Sequence, residues 1–209
     1  MPGGYDSLPL GRFLKVDAVL REPGLSDDDR TVAMLAALCG VSEEDVLALP
    51  LDEFARLNIR SAFLLHPPKA PEGRYIPGRY RLGGLVLVPV TDVRKFTAGQ
   101  YIDYNAFAGK GDAFLPNVIA CFLVPDGKAY GDGYDIAEVA RAVSDYMPVT
   151  EAFALAAFFL RKSRHLQRTM LTSLRVAARM IPDMEERRRT LSRVGQLADF
   201  LKNGAGFSG

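Results

Sequence analysis

The hydrophobic positions of this chain fall into short runs with helical spacing, each bounded by a capping or breaking residue. Between Gly11 and Leu20, the residues Phe13, Leu14, Val16 and Leu20 mark one amphipathic segment, which Pro23-Gly24 ends. Ser26 is an N-cap, and Asp27, Asp28 and Asp29 sit in the first turn that follows, where carboxylates complement the helix dipole. That helix runs through Val32, Leu35, Ala36 and Leu38 and stops at Gly40, a natural C′ residue. Ser42 opens a further short helix with Val46, Leu47 and Leu49, closed by Pro50. Leu51 to Leu65 keeps the helical spacing through Phe54, Leu57, Phe63 and Leu64.

The pattern changes at His66. Pro67, Pro68, Pro71 and Pro77, with Gly73 and Gly78, bar a regular helix from 66 to 78. Tyr80 to Val90 alternates or runs apolar around Gly83-Gly84, the mark of a β-hairpin with a two-residue turn. Pro89 either ends its second strand or places that strand at an edge. Thr97, with Gln100 three residues later, forms a capping box ahead of Tyr101, Ile102, Tyr104, Asn105 and Phe107. Pro116 suits the first turn of another helix, carrying Val118, Ile119, Cys121 and Phe122 and ended by Pro125-Asp126-Gly127. Tyr130 to Tyr134 is a loop, and Asp135, with Glu138 after it, caps a helix reaching Tyr146.

From Val149 to Ile181 there are 33 residues without Gly or Pro. They predict a helix about 50 Å long at ~1.5 Å per residue. Pro182-Asp183 then turns the chain into a final helix over Glu185 to Lys202. The expected fold is mainly α: a multi-helix domain with a small β-hairpin and a long basic C-terminal helix. Three regions follow, 1–66, 67–148 and 149–209, with one domain embracing all three as the alternative.

At 209 residues, 48% hydrophobic and 24% charged, the composition belongs to a folded chain and excludes wholesale disorder. No run approaches the roughly 18–20 apolar residues of a spanning helix; Ala152 to Leu160 is the longest and meets Arg161 and Lys162. The N-terminus lacks the apolar core of a secretory signal, and Cys39 and Cys121 both lie in apolar runs. A soluble, cytoplasmic protein with free thiols is expected. The net charge of +1 hides an asymmetry: residues from Val149 onward carry 11 Lys/Arg against 5 Asp/Glu, and the first 148 carry 15 against 20.

Candidate chemistry is sparse. The two histidines, His66 and His165, are about a hundred residues apart and have no companion at metal-ligand spacing. Asp126, Asp132 and Asp135 fail the spacing of a helix-loop-helix calcium site. Nucleophile-elbow, phosphate-loop and dinucleotide patterns are absent, and Gly109-Lys110-Gly111-Asp112 is too short to cradle a phosphate. No cofactor, no metal and no enzyme activity are expected. A distant third reading places an unfamiliar active site around Tyr101, Asp103 and the loop near Asp132.

The strongest pattern is basic. Arg161, Arg164, Arg168, Arg175 and Arg179 fall on one stripe of the predicted long helix, with no acid between Lys162 and Ile181. Such a stripe suits nucleic-acid phosphate, an acidic protein surface, or simply solvent. Phe153, Phe158 and Phe159 are candidate anchors for a partner, with ordinary helix core as the competing assignment.

Several strings carry a family resemblance: Lys95-Phe96-Thr97-Ala98-Gly99-Gln100-Tyr101-Ile102-Asp103, then Leu115-Pro116-Asn117-Val118-Ile119-Ala120-Cys121-Phe122-Leu123-Val124-Pro125. They are followed by Tyr130 with Gly133-Tyr134-Asp135, and by Met147-Pro148-Val149 leading to Phe153 and Phe158-Phe159. In this order they resemble a group of helical tailed-bacteriophage proteins described as tail assembly chaperone-like. The resemblance spans about Leu10 to Leu160 and rests on turn and cap signals. It implies a non-enzymatic protein that escorts an aggregation-prone virion component, such as a tape-measure protein, through protein–protein contact in the host cytoplasm. Self-association fits that role, and membrane binding is not expected. A helical nucleic-acid-binding protein using the arginine stripe is the alternative.

Overall fold

The structure is a computed structural model, described here for residues 1–66, 68, 76–92, 95–162, 183–186 and 188–192. It is mainly α-helical with one small antiparallel sheet. Side chains cap the first backbone N–H groups of some helices, and a proline stands at the cap of others. In α1 (Leu10–Arg21) the cap position is Pro9, and in α2 (Asp27–Cys39) Ser26 accepts from the Asp29 N–H. Gly40 closes α2 in the left-handed conformation. A reciprocal capping box between Ser42 and Asp45 starts α3 (Glu43–Leu47), and Pro50 precedes α4 (Leu51–Arg60). The helical run expected to reach Leu65 tightens instead into a 3-10 turn over Ser61–Leu65.

The hairpin is present. Strands β1 (Tyr80–Leu82) and β2 (Leu85–Pro89) pair antiparallel, Leu82 opposite Leu85, across Gly83-Gly84. Both glycines have positive φ, 54° and 85°, as the two central positions of a type I′ turn require. Beyond it lie α5 (Ala98–Ala108), α6 (Leu115–Ala120), β3 (Leu123–Pro125) and α7 (Ile136–Tyr146). A further helix, α8, covers 149–162, and residues 184–186 and 188–192 are also helical.

One expected element is corrected. The helix from Pro116 was expected to carry Cys121 and Phe122, but α6 ends at Ala120 and Leu123–Pro125 forms a third strand, giving the order β1-β2-β3. Leu87 pairs with Pro125, Val88 with Val124 and Pro89 with Leu123. An apolar run buried on all sides has no periodicity to separate helix from strand. The open edge of β2 decides the outcome, because its buried backbone groups need partners. The Val90 N–H to the Phe122 carbonyl and the Asp126 N–H to the Val86 carbonyl extend the same ladder. Pro89 thus ends β2, which lies in the centre of the sheet.

The largest buried cluster joins Leu10 of α1, Leu82 and Leu87 of the sheet, Ile119 of α6, Val143 of α7 and Phe159 of α8, and so draws on all three regions expected from the sequence. The two ends of this span are stitched by backbone: the Leu10 N–H donates to the Met147 carbonyl and the Val149 N–H to the Leu8 carbonyl. Among the described residues no helix is long and apolar enough to cross a membrane.

Candidate interaction surfaces

The aromatic residues of α8 divide between core and surface. Phe159 is only 1% exposed and stacks on Phe122 with ring centroids 3.9 Å apart and planes 7° from parallel. Phe96 and Phe158 complete the aromatic packing around it. Phe159 is therefore core, and its expected part as an anchor is corrected by that burial. Phe153 is half-buried, its ring edge-on to Phe13, and Phe158 is half-buried beneath the Lys162 ammonium. Arg161 is exposed; Arg164, Arg168, Arg175 and Arg179 lie outside the described residues, as does the predicted helix beyond 162.

A buried polar cluster ties α5, α6 and the loop before α7 together. The Thr97 side chain accepts from the Gln100 N–H, and Gln100 Oε1 accepts from the Thr97 N–H in return. Gln100 Nε2 then donates to the Cys121 carbonyl at 2.9 Å. Tyr130 donates its hydroxyl hydrogen to Asp103 at 2.6 Å. The structure thus brings Asp103 together with the 130–134 loop, as the third sequence reading required. The chemistry points elsewhere. Burial pushes the Cys121 thiol up to about 12, so it offers no thiolate near neutral pH. Burial and then the Asp103 hydrogen bond hold the Tyr130 phenol well above its ordinary value. Burial likewise raises Tyr134, against a Gly131 backbone hydrogen bond that lowers it. These groups hold their protons and join backbone segments. Among the described residues no group of three or more His, Cys, Asp or Glu is arranged to hold a metal ion.

A groove of about 660 Å³ lies where α1 crosses α2 and the C-terminal end of α7. Gly11 makes that crossing close: a Cβ there would stand 2.2 Å from the Ser144 hydroxyl and 3.1 Å from the Ser144 carbonyl. Small residues Gly11, Ala36, Ala37 and Gly40 line it together with Arg12, Lys15, Asp145 and Tyr146. The Arg12 guanidinium reaches over Gly40, 3.0 Å from where a Cβ would be. Among the described residues, no side-chain ion pair or hydrogen bond is made by Arg12, Lys15 or Asp145. The groove therefore presents two cations and one carboxylate. The sequence offered one signal for this site, a glycine inside a helical pattern, which costs about 1 kcal/mol relative to alanine unless close packing requires it. Comparison with protein-family models, with curated proteins and with solved structures finds no match to this chain.

Proposed function

We propose that this chain is a non-enzymatic phage assembly protein that acts by protein–protein contact, in the manner of a tail assembly chaperone. It seats a segment of a virion component in the groove between α1, α2 and α7. The observation that supports this reading is the groove itself: small residues line it beside the exposed Arg12 and Lys15, whose side chains pair with no other described residue and can receive carboxylates. A segment carrying acidic residues beside small or apolar ones is the complementary ligand.

The test is co-expression with the neighbouring genes, then capture under nuclease treatment and graded salt washes. A stoichiometric protein partner retained after nuclease, and lost with Arg12→Glu/Lys15→Glu, supports the proposal; both positions are exposed, so the fold should tolerate the change. A partner retained by the double variant removes the groove from the reading but keeps protein contact. Recovery of nucleic acid alone, lost between low and moderate salt, refutes the assembly reading and favours nucleic-acid binding by the Arg161 to Arg179 stripe.

A further inference from the structure

Helix α4 is an amphipathic helix with no buried residue. On one side, Phe54 and Leu57 pack against the cluster formed by Leu35, Ala36 and Val46. Beside them Leu51, Ala55 and Ile59 recur at every fourth residue and form a second apolar stripe, which no described residue covers. Leu51 is 82% exposed and Ile59 74%. Leu47 and Leu65, which precede and follow the helix in sequence, are similarly bare. Four exposed large aliphatic side chains within 19 residues exceed the scattered singles normal on a monomer surface.

The charges along this stripe identify its occupant. Asp52 and Arg56, exposed and paired with each other, run along one flank, while Glu53 and Arg60 fall on the far side of the helix. We infer that the stripe is the interface between two copies of this chain, with the α4 helices antiparallel about a two-fold axis at Ala55. In that arrangement Leu51 lies against the partner's Ile59, and the small Ala55 meets its own symmetry mate, so the helices approach closely. Asp52 and the partner's Arg56 then share a flank, about 3 Å apart along the axis at 1.5 Å per residue. The two intrachain pairs merge into a ring of four alternating charges. Parallel helices would instead set Asp52 level with Asp52 and Arg56 level with Arg56. The pattern is thus self-complementary in one orientation, as an isologous interface requires.

Ten residues make a helix about 15 Å long, too short to bury the ~800 Å² per partner of a tight complex. The dimer is accordingly reversible, with a dissociation constant in the micromolar range.

Sedimentation velocity on the full chain, from roughly 5 to 500 μM, tests this. The wild type should pass from monomer toward dimer, and Asp52→Arg or Ala55→Arg should remain monomeric at a tenfold higher concentration. The reciprocal swap Asp52→Arg/Arg56→Asp should regain dimerisation, because a two-fold interface stays self-complementary when both charges exchange. A wild type monomeric throughout, or a swap no better than Asp52→Arg alone, overturns the proposal. As a second measurement free of charge changes, Ala55→Cys in a Cys39→Ser background should be linked into dimers by a short bis-maleimide. Asp28→Cys, on α2, should not. Linking of both or of neither also overturns it. Neither measurement depends on the groove, so failure here leaves the assembly reading intact, and the reverse.

Discussion

Replacing Gln100 by leucine tests whether the α5–α6 junction is held by one side chain. Gln100 is 2% exposed, and it closes two hydrogen bonds, of which the one to Cys121 is buried. One is the return half of the Thr97 capping box, at 3.1 Å; the other is the 2.9 Å bond to the carbonyl of Cys121, itself fully buried. Leucine nearly conserves volume, so the cavity contribution is small and hydrogen bonding dominates. A buried carbonyl left without a donor costs about 1–3 kcal/mol, and the lost cap bond adds about 0.5–1 kcal/mol. The sum, roughly 1.5–4 kcal/mol, is a large share of the ~5–15 kcal/mol that keeps a domain folded. With a urea m-value of about 2 kcal/mol/M, the midpoint should fall by ~0.75–2 M while m is unchanged. Gln100→Glu sharpens the test. Its carboxylate keeps the cap acceptor but points an oxygen at the Cys121 carbonyl, so its folded-state pKa must rise above the unfolded value near 4.3. For an acid shifted that way, full stability is present below about pH 4, where the group is protonated in both states, and declines as pH rises through the interval up to the folded pKa. A leucine variant within ~0.5 kcal/mol of wild type, or a glutamate variant indifferent to pH, would refute the reasoning.

Three further outcomes are expected. Phe159→Ala, which empties the stacked position against Phe122, should cost about 3–5 kcal/mol in urea unfolding, whereas the half-buried Phe158→Ala should cost less than half as much. Gly83→Ala should cost about 1–2 kcal/mol, because φ is 54° and a Cβ would stand 2.5 Å from the Tyr146 ring; adding Tyr146→Ala should recover only the steric part. Cys121 should resist a thiol reagent at pH 8 until urea unfolds the chain. Its thiol is held at about 12, so stability should be complete below pH 9 and fall as pH rises from 9 to 12, less steeply in Cys121→Ala.

What was legible in the sequence was local. Ser26, Ser42, Thr97 and Asp135 cap the helices they were expected to cap, because a cap needs only its own next three residues. Gly83-Gly84 announced its turn for the same reason. Strand β3 was hidden because three apolar residues take their conformation from β2, some 35 residues away. The aromatic pair Phe158-Phe159 reads identically at both positions, yet only the fold stacks one ring on Phe122 and leaves the other half-buried at the core's margin. The groove required Gly11 and Ser144 to be known as neighbours, which no spacing in the chain discloses.

Helix α2 links the two surfaces to one consequence. Its Ala36 packs in the cluster that supports α4 and also lines the groove, so the stripe and the groove are built on the same helix. A dimer through α4 therefore carries two grooves on one rigid support. A client with two acidic segments would then gain from effective concentration as well as from contacts, as linked sites do. Capture of such a client should fall in Asp52→Arg, although that residue does not line the groove, and return in the reciprocal swap with Arg56→Asp. A client with one segment should be captured equally by all three. Equal capture of a two-segment client by the monomeric and dimeric forms would show that the grooves act singly.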